Sequence, residues 1–375
     1  MHLATLELLE FRCYPSARLE LPPGVIVVTG ANGQGKTSLL EAVAWPALTR
    51  SFRGVPDDAL IRAGAAQAVL RATVVDGEST RQVDVELRRV GRNRILLNGH
   101  PTARTRDLFG TLRVTVFAPD DLQLVKGGPG ERRAYLDDVL IASVPRYAGV
   151  RADLERVLRH RNALLRGGVR DDEAGATLAV FDEQLVHAGG ELIRGRLRLV
   201  ARLAPAVDEA YRRLAPDSAG IRAAYDAEWS DAPLTEETVD ERLRDGLERR
   251  RRQETDRGIT LAGPHRDEWR LTIADQDSRT HASQGEQRTL ALAMRLAAHH
   301  VLADVVGSQP VLLLDDVFSE LDPQRSRALV ECLPATQTLI TTAGVLPDGV
   351  TPEVRLRVEQ GRFTEGAAPL PVSGS

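Results

Sequence analysis

The chain has 375 residues, of which 49 are Lys or Arg and 53 are Asp or Glu, so its formal net charge is −4. A hydrophobic content of 42% is sufficient for a folded core and excludes an intrinsically disordered chain, and the length allows roughly two or three domains. Because acidic and basic residues balance, any affinity for nucleic acid must come from a local basic patch.

Few features of the sequence point to secretion or to a membrane. Two cysteines, Cys13 and Cys332, are too few for a disulfide framework, and the first residues lack the pattern of a signal peptide. No apolar run approaches the roughly 18 residues that span a membrane, and the histidines lack partners at zinc-ligand spacing. We therefore expect a cytoplasmic protein with no membrane partner and no zinc site.

The first third of the sequence predicts mainly strands, with one helix. An apolar run over 25–28 between two glycines is typical of a buried strand, and a helix is predicted after it over 36–48. Alternating apolar residues and turn signals predict further strands over 3–11, 17–21, 68–75, 82–89 and 94–97, with turns at 14–16 and 98–99.

The middle of the chain, from about residue 131 to 258, is rich in charge and predicts helices. Leucines at helical spacing indicate helices over 145–166, 176–214 and 235–257. The run Arg249-Arg250-Arg251-Arg252 leaves two interpretations open, a solvated helix face or a contact with phosphates.

After Gly263 the sequence again alternates between helix and strand signals. A helix is predicted over 284–303 and buried strands over 311–314 and 339–342. The tail from about Gly366 is rich in Gly, Ala, Pro and Ser, and we expect it to be disordered.

A phosphate-loop pattern, G-x-x-x-x-G-K-[ST], lies between the predicted strand and helix, as this motif requires. The predicted ATP-binding residues are Gly30, Ala31, Asn32, Gly33, Gln34, Gly35, Lys36, Thr37 and Ser38. The glycines let successive N–H groups surround a phosphate, and the helix N-terminus adds positive potential. Lys36 is expected to reach the β- and γ-phosphates as a catalytic residue, and Thr37 to ligate Mg²⁺.

Two acids follow the apolar run 311–314, which places them at the C-terminal edge of a buried strand. Ligands bind at this edge in open α/β sheets. Asp315 is expected to hold Mg²⁺, directly or through water, and Asp316 to polarise the attacking water as a general base. The alternative, two solvated acids that begin a loop, is weaker beside a phosphate loop.

A polar segment, Ser283-Gln284-Gly285-Glu286, precedes the predicted helix over 284–303. Ser283 with Glu286 three residues later has the pattern of a capping box. A capped helix N-terminus is also an anion site, so a second role in binding a phosphate stays open.

These three elements in this order resemble the ATP-binding-cassette (ABC) ATPases, and finer motifs resemble the RecF family of bacterial recombination mediators. The residues that carry the resemblance are 11–12, 30–42, 50–53, 117–122, 128–129, 132–133, 136–137, 263–267, 315–316 and 319–322. The resemblance covers nearly the whole chain, to about residue 345.

The resemblance implies an α/β fold, an ABC-type ATPase head whose mixed β-sheet carries the phosphate loop, with a helical insertion and no long coiled coil. Residues 1–125 and 261–345 would form the N- and C-terminal parts of the head. Residues 126–260 would form the insertion, and residues 346–375 the terminal strands and the tail.

The resemblance also implies a function, an ATP-dependent DNA-binding mediator of gap repair. Members of the family form a homodimer on binding ATP and prefer duplex DNA and duplex/single-strand junctions. They act with RecO and RecR to load RecA, and slow, DNA-stimulated ATP hydrolysis resets the dimer. ATP and Mg²⁺ are the implied cofactors. The sequence leaves the DNA-contacting residues unknown.

Several residue roles follow from the resemblance alone. Ser283, Gln284, Gly285 and Glu286 would clamp the ATP of a second subunit in trans, with Asp322 near the same interface. Thr342 stands where transporters carry a switch histidine. The weaker candidates are Arg12, Arg50 and Arg53 on the nucleotide side and Gln123 as the Q-loop glutamine.

Two other functions are weighed against this one. The ATPase subunit of a membrane transporter would carry a switch histidine after residues 341–342 and would lack the large helical insertion. A structural protein that binds ATP without hydrolysing it would not need Lys36, Thr37, Asp315 and Asp316 together, and all four are present.

Overall fold

The structure, a computed structural model, describes residues 1–168, 171–333 and 336–365. The chain divides into two units, Met1–Asp120 with Ala298–Ser375 and Asp121–Ala297. We call them the phosphate-loop unit and the helical unit. The helical unit includes residues 261–297, which the sequence assigned to the head, and the tail predicted from Gly366 lies outside the described residues.

Strands predominate near the two ends of the chain, and helices predominate in its middle. The strands are β1 (His2–Phe11), β2 (Tyr14–Glu20), β3 (Gly24–Thr29), β4 (Gln67–Asp76), β5 (Ser79–Arg88), β6 (Arg94–Leu97), β7 (His100–Pro101), β8 (Val114–Phe117), β9 (Ile221–Asp226), β10 (Glu268–Ile273), β11 (Gln276–Asp277), β12 (Val311–Asp315), β13 (Gln337–Thr342), β14 (Val354–Glu359) and β15 (Arg362–Glu365). The helices are α1 (Lys36–Leu48), α2 (Gln123–Lys126), α3 (Pro129–Ser143), α4 (Tyr147–Gly167), α5 (Asp172–Leu214), α6 (Val239–Arg257), α7 (Gln284–Val306) and α8 (Pro323–Glu331).

The first sheet of the phosphate-loop unit is antiparallel, with the strand order β2-β1-β4-β5-β6-β7. In β5 every second residue, Val83, Val85 and Leu87, is buried. This period of two is that of a strand with one face on the core and the other on solvent. The short strand β7 forms one edge of the sheet.

The second sheet, in the order β15-β14-β3-β13-β12-β8, is parallel except for β15. Strands β12 and β13 are buried along their whole length, which explains their continuous rather than alternating apolar runs. Helix α1 packs against strands of both sheets. Because β3, β12 and β13 run parallel, their C-terminal ends meet at one edge of the sheet.

The helical unit is built around the long helix α5. Asp171 caps its N-terminus by accepting a hydrogen bond from Ala174 N at 2.8 Å. Helices α4 and α6 pack against α5, and strands β9, β10 and β11 form a small antiparallel sheet.

The arginine run 249–252 lies on α6, and most of it is engaged within the helical unit. Arg249 pairs with Asp231, Arg250 donates to the carbonyl oxygen of Trp229 at 2.8 Å, and Arg251 donates to Asp182. Neither open interpretation, a solvated helix face or a contact with phosphates, describes these three side chains, because they contact groups of the helical unit.

Among the described residues, α7 is the one helix long and apolar enough to cross a membrane by length and composition. Most of it is buried inside the protein, and the core helix of a soluble protein has the same composition. This helix is therefore weak support for a membrane span.

Two observed elements differ from the predicted ones. Strand β2 begins at Tyr14 instead of following a turn at 14–16, because Tyr14 pairs with Phe11 across a turn in which Arg12 has φ 53°. Strand β9 lies within the region predicted to be helical, and it pairs with β10, which is distant in the sequence.

Candidate nucleotide site

The phosphate loop connects β3 to α1, and its geometry explains two of its glycines. Gly35 precedes α1 with φ 115°, in the left-handed region that favours glycine. A Cβ atom there would lie 2.5 Å from Cys13 Sγ, and a Cβ atom on Gly30 would lie 2.5 Å from the carbonyl oxygen of Val358. A larger residue at either position would therefore displace the loop.

A cavity of about 510 Å³ lies beside the loop, within the size range of small-molecule sites. Its lining residues are Cys13, Asn32, Gly33, Gly35, Lys36, Thr37, Ser38, Phe52, Arg53, Ala118, Pro119, Asp120, Asp315 and Asp316. The cavity thus brings together the phosphate loop and the acidic pair, which are far apart in the sequence.

Three residues of the predicted ATP-binding set, Gly30, Ala31 and Gln34, lie outside this lining. Gln34 Oε1 accepts a hydrogen bond from the backbone N–H of Gln360 at 2.7 Å, in the turn between β14 and β15. The Gln34 side chain therefore contacts the hairpin formed by β14 and β15 and connects the phosphate loop to it.

Lys36 is buried and is held by its own loop. Its Nζ donates to the carbonyl oxygens of Gly30 at 2.8 Å and Ala31 at 3.1 Å. No carboxylate among the described residues pairs with this ammonium group. Its charge is therefore available to an anion in the cavity.

Thr37 and Asp315 are in direct contact at the bottom of the cavity. Thr37 Oγ1 donates to Asp315 Oδ1 at 2.9 Å, and Thr341 Oγ1 donates to the same oxygen at 2.8 Å. Burial raises the pKa of the Asp315 carboxyl, whereas these two hydrogen bonds lower it, and the net direction is upward. Arg53, which also lines the cavity, stabilises the Asp315 charge but does not outweigh burial.

The neighbouring acid, Asp316, has an unsatisfied oxygen. Its backbone adopts φ 51°, and its N–H donates to the Thr341 carbonyl oxygen at 3.1 Å. Within the described part of the chain, its buried Oδ1 has no hydrogen-bond partner. Buried polar atoms are rarely left without a partner, so this oxygen marks a place for a ligand or water.

The donor set fits magnesium. Mg²⁺ is usually held by one or two carboxylates together with waters and substrate phosphates. In the described ranges no group of three or more His, Cys, Asp or Glu residues could hold a metal ion. A magnesium ion on Thr37 and Asp315 would therefore complete its coordination with phosphate oxygens and water.

The arginines suggested for the nucleotide side have different environments. Arg53 lines the cavity, whereas Arg12 and Arg50 do not. Arg12 donates to both carboxylate oxygens of the fully buried Glu41, at 3.0 and 2.8 Å, and Ser51 Oγ donates to the same group at 2.5 Å. Arg12 thus neutralises a buried carboxylate of α1.

The predicted clamp segment begins α7. Ser283 N donates to Glu286 Oε2 at 2.8 Å, and Glu286 N donates to Ser283 Oγ at 3.3 Å, so the predicted capping box is formed. Ser283 and Gln284 are exposed, whereas Gly285 is half-buried. This helix N-terminus is therefore open to solvent.

Of the three remaining predicted residues, Asp322 and Thr342 accept hydrogen bonds from nearby backbone N–H groups. Asp322 accepts a hydrogen bond from Arg325 N at 2.9 Å at the start of α8, and this contact lowers the pKa of its carboxyl. Thr342 is buried outside the cavity lining, and its Oγ1 accepts from Gly344 N at 3.0 Å. Gln123 begins α2 in the helical unit.

Sequence reasoning missed two parts of the site. Thr341 is paired with Asp315 in the register of β13 and β12, which a parallel alignment of the two predicted strands could have found. Residues 118–120 line the cavity after β8, and the resemblance includes residues 117–122 but gives them no role in binding.

Comparisons with known proteins agree over most of the chain. Residues 2–344 match the family model of the RecF/RecN/SMC N-terminal domain. The chain is 42% identical over 369 residues to the DNA replication and repair protein RecF of Streptomyces avermitilis, covering 96% of this chain and 99% of the relative. It is 44% identical over 354 residues to that of Acidothermus cellulolyticus, covering 93% and 95%.

Solved structures give the same result. The structure of the recombination mediator protein RecF-ATPrS in the RecFOR pathway matches with a TM-score of 0.89 at 27% identity, covering 98% of each chain. An SmcHead bound to the C-winged helix domain of ScpA shares the fold, with a TM-score of 0.58 at 17% identity over 99% of this chain and 98% of that one. The predicted fold class, an ABC-type head with a helical insertion, is confirmed.

Proposed function

Since the chain belongs to the RecF family, we propose that it is an ATP-switched, DNA-binding mediator of recombinational gap repair. The curated relatives are DNA replication and repair proteins, and the matched structures are named as RecF with ATP and with ATPrS. These relatives cover nearly the whole chain, which supports the transfer of ATP binding and of a role in DNA repair. Nothing observed favours the transporter ATPase.

One observation carries the proposal. A single cavity brings together an unpaired lysine, a Thr37–Asp315 contact of 2.9 Å and the unsatisfied oxygen of Asp316. A lysine that pairs with no described carboxylate, beside two acids, suits a magnesium-bound polyphosphate better than a neutral ligand.

The roles of the residues follow from this arrangement. Lys36 would leave the carbonyl oxygens of its loop for the β- and γ-phosphates, and Thr37 and Asp315 would hold Mg²⁺. The metal, when bound, neutralises charge on the phosphate oxygens. Asp316 would orient and deprotonate the attacking water through its unsatisfied oxygen. Aspartate is shorter than the glutamate usual in the superfamily, which suits slow hydrolysis.

ATP would act as a switch by completing its site across a homodimer. The segment Ser283 to Glu286 of the second subunit, near its Asp322, would bind the γ-phosphate at the N-terminus of α7. ATP then binds the dimer more tightly than the monomer, which is the condition for a ligand to shift that equilibrium. Thr342 stays a candidate switch residue, because the adjacent Thr341 donates a hydrogen bond to Asp315.

The proposed partners and location complete this function. The ATP-bound dimer would bind duplex DNA at junctions with single strands and, in the cytoplasm, act with RecO and RecR to load RecA. Weak, DNA-stimulated hydrolysis of ATP would then return the protein to the monomer.

The test is the molar mass by light scattering, with and without Mg-ATP and a gapped duplex. Wild type is expected to dimerise with ATP. Lys36→Met loses a charged hydrogen-bond donor of about 1.5–3 kcal/mol, so it should bind ATP at least about tenfold more weakly and stay monomeric. Ser283→Arg should bind ATP as a monomer and fail to dimerise, while Ser79→Arg, at the exposed first residue of β5, should behave as wild type.

Two results would contradict the proposal. If wild type stays monomeric with ATP and gapped DNA, the switch does not operate. If Ser283→Arg dimerises as well as Ser79→Arg, the capping box is the whole role of Ser283 and the clamp in trans is wrong.

A further inference from the structure

One stretch of the phosphate-loop unit departs from the balanced charge of the chain. Residues 88–106 contain six arginines and no Asp or Glu, whereas the whole chain has 53 acids against 49 bases. The stretch contains the end of β5, the strands β6 and β7, and the loops that follow them. It is therefore a local basic patch of the kind that the average charge conceals.

Three of these arginines lie on or beside the last two strands of the sheet. Leu96 lies opposite Pro101, and Thr102 N donates to the Ile95 carbonyl oxygen at 3.0 Å, so the chain after β7 runs back along β6. Arg94 begins β6, Arg92 lies two residues before it, and Arg104 lies three residues after β7. We call Arg92, Arg94 and Arg104 the arginine edge, because β6 and β7 end the strand order of this sheet.

Within the described ranges, the side chains of the arginine edge have no ion-pair partner, and all three are exposed. Glu86 lies opposite Arg94 in the register of β5 and β6, but its carboxylate pairs with Arg88 at 2.8 Å. Asp107 accepts from the backbone N–H of Arg104 at 3.0 Å, and Asp57 accepts from Asn93 at 2.7 Å. Three guanidinium groups therefore stand unpaired in solvent.

The backbone beneath these groups is fixed. Arg89 donates to the carbonyl oxygens of Ala65 at 2.8 Å and Arg62 at 3.2 Å. The Asn93–Asp57 contact continues into α1, because Trp45 Nε1 donates to the same carboxylate at 3.1 Å. A surface that is already ordered loses less conformational entropy when it binds a ligand.

We propose that the arginine edge binds the phosphate backbone of duplex DNA, independently of sequence. The inference rests on the proposed function, since it takes DNA as the ligand, and it assigns the contact surface that the sequence left unknown. Duplex DNA carries one negative charge per roughly 1.7 Å of helix axis, and guanidinium groups suit phosphate oxygens in both charge and geometry. In the ATP-bound dimer the edge would be present twice.

The experiment measures the affinity of the protein for a 30-base-pair duplex in Mg-ATP as a function of salt concentration. The test variant is Arg92→Ser, Arg94→Ser, Arg104→Ser. Its matched control, Arg156→Ser, Arg213→Ser, Arg222→Ser, loses the same charge at arginines paired with Asp153, Glu209 and Asp275. A variant with lysines at positions 92, 94 and 104 keeps the charge.

The expected result is specific to the edge. The serine variant should bind about tenfold or more weakly at low salt, and its slope of log affinity against log salt should fall by about two to three. The control and the lysine variant should keep slopes near that of wild type. ATP affinity and the melting temperature should not change, because the three side chains make no ion pairs with the described residues of the fold.

The outcomes separate this inference from the proposed function. If wild type binds no duplex, the proposed function fails first. If wild type binds duplex and the serine variant keeps its affinity and slope, the arginine edge is not the contact, and an acidic protein would then be its ligand. Equal losses in the serine variant and the control would also overturn the inference, because net charge alone would explain them.

Discussion

The two units both bury charged side chains, but they satisfy them differently. In the helical unit Arg161 is fully buried and donates to Asp182 at 2.8 Å and Glu254 at 2.6 Å. In the phosphate-loop unit Lys36 contacts carbonyl oxygens of its own loop, and Asp316 has a buried oxygen without a partner in the described part of the chain. Paired charges hold a fold together, whereas unpaired charges beside a cavity mark a binding site.

Surface arginines show the same contrast. The run on α6 is conspicuous in the sequence, yet Arg249, Arg250 and Arg251 contact groups of the helical unit. The arginine edge is dispersed over thirteen residues and its side chains form no described ion pair. Local density in the sequence therefore does not show which arginines the fold leaves without an ion-pair partner.

The largest effect is expected from breaking the buried ion pairs of the helical unit. Arg161→Met leaves two carboxylates buried without their cation and should lower the free energy of unfolding by about 3–5 kcal/mol. Chemical denaturation of the variant measures this loss. ATP affinity of the folded fraction should be that of wild type, because Arg161 lies outside the nucleotide cavity.

A compensating variant sharpens this prediction. Arg161→Met combined with Asp182→Leu and Glu254→Leu removes the stranded charges and should recover most of the lost stability. A triple variant as unstable as Arg161→Met would show that the cavity left by the side chain, rather than the unpaired charge, dominates the cost.

A smaller effect is expected at Asp267, a buried carboxyl that Tyr225 and Trp229 hydrogen-bond. Burial raises its pKa to about 6, although Arg196 opposes this shift. The folded protein then retains a proton that the unfolded chain has lost. The contribution of Asp267 to the free energy of unfolding is therefore fully present below about pH 3.8. It falls by about 3 kcal/mol as the pH rises through 6.

The measurement compares wild type with Asp267→Asn, since other groups titrate in the same range. Burial lowers the pKa of His265 to about 4, so its contribution has the opposite slope, growing as the pH rises from 4 to 6.5. Subtracting the free energy of unfolding of Asp267→Asn from that of wild type at each pH removes the contribution of His265, which both proteins share. A difference that stays constant between pH 4 and 7 would show that the Asp267 carboxyl is ionised throughout.

The sequence predicted those parts of the candidate site that are built from residues next to one another in the chain. The phosphate loop, the acidic pair and the capping box are local patterns. Residues of the loop and both acids line one cavity, and the hydrogen bonds of the capping box are present. Parallel strand pairing places Thr341 against Asp315 and brings residues 118–120 to the cavity, and single-sequence patterns do not contain this pairing. Strand β9 was missed for the same reason, because its pairing with β10 is non-local.

The smallest effects test the two arginine groups against each other. Arg250→Ser removes hydrogen bonds to the carbonyl oxygens of Trp229 and Glu228, and it should lower the free energy of unfolding by about 1 kcal/mol without changing the salt slope of DNA binding. Arg92→Ser should do the reverse, changing stability by less than about 0.5 kcal/mol and lowering the slope by about one. Chemical denaturation gives the free energy of unfolding of each variant, and salt titration of DNA binding gives its slope. If Arg250→Ser lowers the slope as much as Arg92→Ser does, pairing within the fold does not separate structural from DNA-binding arginines.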